Sequence, residues 1–106
     1  MIEKSKISEI IRIITAGYDP DKIILFGSYA TGNATDDSDL DLFVVKDTDV
    51  PRPLRAVQIR KMLFGAMIPM DLIVYTPKEI ETSKDNIFGF VYNVLHSGTT
   101  LYERAT

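Results

Sequence analysis

An α/β (α+β) domain, with a small mixed sheet of three to four strands and helices packed mainly on one of its faces, is the fold class this sequence predicts. Three observations carry the prediction. Apolar runs of strand length occur at 22–26, 39–45 and 68–75. Elsewhere apolar residues recur at helical spacing, beginning with Ile7, Ile10, Ile11 and Ile14, which form one stripe. The 106 residues contain no linker, repeat or low-complexity tract, so 1–106 reads as a single domain with one small core.

The first helix is expected to end near Gly17, a residue suited to helix termination. Asp19-Pro20-Asp21 then turns the chain into the first strand, Lys22-Ile23-Ile24-Leu25-Phe26, which Gly27 ends. After the second strand and a polar loop at 46–50, Pro51 and Pro53 open a helix that is mostly apolar at Leu54, Val57, Ile59, Met62 and Leu63 and that Gly65 closes. Its Arg52, Arg55, Arg60 and Lys61 read as a solvated basic face, with a docking surface or a grip on a triphosphate tail as the alternatives. The third strand leads to Thr76, a helix cap followed by Pro77 at the first helical position. A last helix turns Ile87, Phe90, Val91, Val94 and Leu95 toward the core before Gly98 stops it. His96 reads as a surface group favoured by the helix dipole, and Met62, Met67 and Met70 as core filler.

Chemistry concentrates around Gly27. In an extended strand alternate side chains share a face, so Asp39 and Asp41 point one way while Leu40, Leu42 and Val44 point into a core. Carboxylates about 7 Å apart along a strand can converge on one hard divalent ion or bridge two, and Mg²⁺ suits them because it keeps positions for phosphate oxygens. Gly27 allows a sharp turn and a close ligand approach; Ser28 then offers a hydroxyl and a backbone N–H at a helix start, where negative charge is favoured. Together they read as a site for a metal-bound nucleoside triphosphate. Asp-x-Asp alone arises by accident in about a quarter of chains this long, but adding Gly-Ser at fixed spacing lowers that to about one in a thousand. A merely solubilising turn accounts for Asp36 and Asp37 and fails for Asp41, which lies inside an apolar run. Asp71, at the start of the third apolar run, can join the same face if the two strands are neighbours. It is the group placed to take the proton of an attacking hydroxyl.

Composition excludes other classes. A net charge of −3 argues against nucleic acid as a bulk ligand, which needs a strong positive field. Without cysteine there are no disulfides or thiolate metal sites. Residues 1–6 lack the apolar region of a leader, and no segment approaches membrane-spanning length, so the expected location is cytoplasmic.

Gly27-Ser28, Gly32, Ser38-Asp39-x-Asp41 and the later Asp71 resemble the minimal nucleotidyltransferase (MNT) domains of the DNA polymerase beta-like superfamily. The resemblance spans most of the chain, including 98–103, which resembles the usual terminal edge strand. It implies the polymerase beta-like nucleotidyltransferase fold and transfer of a nucleoside monophosphate, AMP foremost, from ATP to a hydroxyl. Asp39, Asp41 and Asp71 would be the catalytic and metal-binding residues around two Mg²⁺ ions, and Gly27, Ser28 and Ser38 would bind the nucleotide. Many relatives carry a basic residue where this chain has Thr31, so one phosphate contact is absent. With no separate acceptor-binding domain, the resemblance implies a small helical HEPN partner, neutralised as a toxin by complex formation or by AMP addition. The alternative is a non-catalytic nucleotide-binding or antitoxin module acting by occlusion.

Overall fold

The computed structural model describes residues 1–105. Helix α1 (Lys4–Tyr18) leads to strand β1 (Lys22–Phe26), the single turn α2 (Ser28–Thr31), β2 (Leu40–Val45), α3 (Arg52–Met62), β3 (Met70–Tyr75), α4 (Pro77–Ser83), α5 (Phe90–Ser97) and β4 (Thr99–Glu103). The sheet order is β3-β2-β1-β4. Strand β1 is antiparallel to both β2 and β4, whereas β2 and β3 are parallel and need a crossover, which α3 supplies. The mixed sheet and the terminal edge strand agree with the expectation.

Alternation along the strands decides the two faces. Ile23, Leu25, Leu40, Leu42, Val44, Leu72 and Val74 project into the larger core, against Ile10, Ile14 and Tyr18 of α1 and Ile59 of α3. On the other face Ile24, Phe43 and Val45 lie under Val91 and Val94 of α5. The longer helices therefore share one face. The opposite face, expected to stay open, is half covered by α5, and this double burial explains why Leu42-Phe43-Val44-Val45 is an unbroken apolar run.

Several local expectations are corrected by packing. Helix α1 ends at Tyr18, beside Gly17 as expected, but the residue that leaves it is Asp19, in the left-handed conformation (φ 51°) that Asp tolerates. Gly17 serves closeness instead, since a Cβ there would sit 2.9 Å from Met62 Sδ. Met67 is no core filler: it is 93% exposed in the turn after α3. Ile87, expected in the core, precedes α5 and is 61% exposed. The basic face of α3 is divided. Arg55 is buried, donating from Nε to Val50 O (2.7 Å) and from Nη1 to Val74 O (3.1 Å) and Glu79 Oε1 (2.6 Å). Arg52 donates to Glu79 Oε2 at 3.0 Å and lies over the Tyr75 ring. Arg52, Arg60 and Lys61 stay at the surface, so Arg55 alone turns inward.

Candidate active site

The acids gather at one end of the sheet because of strand register. Asp41 in β2 pairs with Asp71 in β3, and cross-strand partners at one register position share a face. Its antiparallel partner on the other side is Phe26, the residue before Gly27. Gly27 has φ 73° and ψ −154°, a conformation open to glycine, and a Cβ there would come within 2.1 Å of Asp41 Oδ2. The Gly27 backbone thus lies flat against the Asp41 carboxyl, and α2 starts directly beyond it.

Asp41 is half-buried, while Asp39 and Asp71 are exposed. The Asp41 carboxyl is pushed up to about 6, first by burial and then by Asp71, close enough to share a proton, with the charge of Asp39 adding to it. None of the ion pairs among the described residues includes any of the three. Two carboxyls held together without a cationic partner fit a hard divalent ion as the missing counter-charge. Asp39 precedes β2 and is exposed, and among the described residues no three acidic or histidine side chains are drawn together closely enough to hold a metal ion by themselves.

Ser28 opens α2 and is half-buried. The Ser38 hydroxyl accepts from Thr35 N–H at 2.8 Å and lies 3.4 Å from the Thr35 hydroxyl, so it pins the 35–38 turn that delivers Asp39. The Thr31 hydroxyl folds back toward Gly27 O and Ser28 O (both 3.4 Å) and accepts from Asn33 Nδ2, leaving no charge at the end of α2. An apolar cavity of about 400 Å³, lined by Ile2, Ile7, Leu25, Tyr29 and Leu101 among others, contains none of the acids.

Two features escaped the sequence reading. Phe90, assigned there to the core, stands between core and acids, 5.4 Å from Phe26 between ring centroids and 42% exposed. The Arg55–Glu79 pair escaped too, although a signal existed: Thr76-Pro77-Lys78-Glu79 is a capping box, which places the Glu79 side chain at a known corner.

The chain matches the sequence model described as "Nucleotidyltransferase domain" over residues 6–95. It is 33% identical over 104 residues to a candidate protein adenylyltransferase of Methanocaldococcus jannaschii, covering 96% of this chain and 100% of that protein. Among solved structures, a nucleotidyltransferase candidate from Sulfolobus solfataricus superposes with a TM-score of 0.65 at 19% identity, over 94% of this chain and 79% of the other. A toxin–antitoxin structure with AMP-PNP gives a TM-score of 0.64 at 21% identity, over 97% of this chain and 75% of that one. These structural likenesses concern the fold.

Proposed function

The chain belongs to the nucleotidyltransferase domain family, and from that premise we propose that it moves AMP from ATP to a hydroxyl on a partner protein. In this reading residues 1–106 act as one domain in the cytoplasm, as the antitoxin of a HEPN-type helical toxin. The convergence of Asp41 and Asp71 beside the Gly27 turn carries the reading. The adenylyltransferase name of the relative supports the transferred group, and the toxin–antitoxin structure with AMP-PNP supports the nucleotide and the kind of partner.

The roles follow from position. The Gly27 turn brings backbone close to the phosphates, and Ser28 donates to a phosphate oxygen from its hydroxyl and backbone N–H. Ser38 fixes the loop from which Asp39 projects, and its hydroxyl would turn toward a bound phosphate. Asp39, Asp41 and Asp71 would hold Mg²⁺, two ions in this reading, which when bound neutralises the triphosphate and the charge developing at the transferred phosphoryl group. Asp71, the exposed member of the close pair, takes the proton of the incoming hydroxyl. The hydroxyl oxygen bonds to the α-phosphorus as the bond to the bridging oxygen breaks, and pyrophosphate leaves.

The test is transfer itself. With partner, Mg²⁺ and ATP, the wild type gives a partner mass increase of one or more adenylyl groups. Asp71→Asn keeps much of its ATP binding and loses transfer by about 10²-fold or more. A second reading, occlusion without catalysis, draws on the exposed position of Asp39 ahead of β2 and the uncharged Thr31. It prevails if the partner is bound and inhibited with no mass change under any of the four triphosphates. Transfer recovered by Thr31→Arg would instead trace the loss to one phosphate contact.

A further inference from the structure

The acid-bearing face continues into an aromatic wall that the transfer reading leaves without a task. Phe26 is in register with Asp41, so the two leave the sheet as neighbours. Phe43 follows Asp41 by one alternation and shares its face. Phe90, the first residue of α5, meets Phe26 edge-on, with centroids 5.4 Å apart and planes at 82°, and lies 6.0 Å from Phe43. Anchored on that side, Phe90 still has 42% of its surface in solvent, and Phe88 has 93%. The Phe90 ring, packed on a residue in register with Asp41, thus forgoes burial that is normally favourable, as does Phe88 two residues before it in the chain.

The occupant follows from reach and from chemistry. Cross-strand neighbours lie about 5 Å apart, so Phe26 adjoins Asp41 and Phe90 is one ring further on, the scale of a nucleoside from a phosphate held there. Phe90 packs among the rings of Phe26, Phe43 and Tyr75, with the Arg52 guanidinium over Tyr75, a lining that suits a flat base bound by stacking. We propose that Phe88 and Phe90 form a base subsite: a purine stacks against them while its phosphates lie at the Gly27 turn. Stacking reads area more than hydrogen-bonding edges, so purine triphosphates bind better than pyrimidine ones, with little choice between adenine and guanine. This inference rests on the transfer reading above.

Calorimetry on the full chain with Mg²⁺ tests it, using ATP, GTP, CTP, UTP and inorganic tripolyphosphate, which has no base. Phe88→Ala removes an exposed ring without touching the core, and Phe90→Leu keeps most of the buried volume. Each is expected to weaken ATP and GTP by about tenfold, to shrink the purine preference and to leave tripolyphosphate affinity unchanged. Unaltered ATP affinity in both variants overturns the subsite. So does a variant that loses only partner binding, which would make the wall a protein-docking surface. If the wild type binds tripolyphosphate as tightly as ATP, the subsite alone falls. If it binds neither, the transfer reading falls with it.

Discussion

Asp41 and Glu79 are both half-buried carboxylates near strand ends, and the fold treats them oppositely. Glu79 sits between two guanidiniums: hydrogen bonding from Arg55, with Arg52 and the Thr76 backbone assisting, holds its carboxyl down at about 2 against burial. Asp41 faces another acid, and burial together with Asp71 raises it to about 6. The Glu79 site is complete within the chain and ties α3 to the start of α4. At Asp41 the counter-charge must come from outside. A buried charge whose partner is in the sequence marks construction, and one whose partner is missing marks a place for a ligand.

The largest expected effect breaks the acidic side outright. Gly27→Val puts a branched side chain where even a Cβ meets Asp41 Oδ2 at 2.1 Å, in a backbone conformation such residues avoid. Nucleotide binding should vanish in calorimetry, either with the turn displaced or with that end unfolded. Wild-type affinity would mean that the Gly27–Asp41 contact has no part in the site.

Breaking the other side is a matter of stability. Glu79→Ala leaves Arg55 buried without its anion and removes half of the capping box, at a cost of about 2 to 3 kcal/mol at neutral pH. Chemical denaturation measures it, and nucleotide affinity in the presence of Mg²⁺ should change little. Because the Glu79 value is depressed, its stabilisation is full above the ordinary 4.5 and fades as pH falls toward about 2, so the gap between wild type and variant closes in that window.

The smallest effect carries the opposite sign. Without metal, ionising Asp41 in the folded state is unfavourable, and since its value is raised the penalty is absent below the ordinary 3.8 and complete above about 6. Asp41→Asn should therefore melt higher than wild type at pH 7.5 without Mg²⁺, and the difference should disappear on acidification to pH 4. Added Mg²⁺ with ATP should raise the wild-type midpoint and leave the variant's in place. A metal-free variant that melts lower than wild type at pH 7.5 would show that Asp41 already has its partner within the chain, and the contrast with Glu79 would collapse.

Alternation within β2 was enough to set Asp41 opposite Leu40, Leu42 and Val44, and local chemistry was enough to end β1 before Gly27 and start α4 after Thr76. These features depend on residues close in sequence, so a period of two or a cap residue determines them. What lies across from a given face is a different matter. The parallel register that brings Asp71 to Asp41, the burial of Arg55 against Glu79, the exposure of Met67 and Ile87, and the place of Phe90 between core and acids were decided by tertiary structure. Each depends on a surface contributed by a distant segment. A hydrophobic period says that a face will be covered, while only the packed sheet decides by what, and an arginine on a mostly apolar helix goes inward once a glutamate and two carbonyls can satisfy it there.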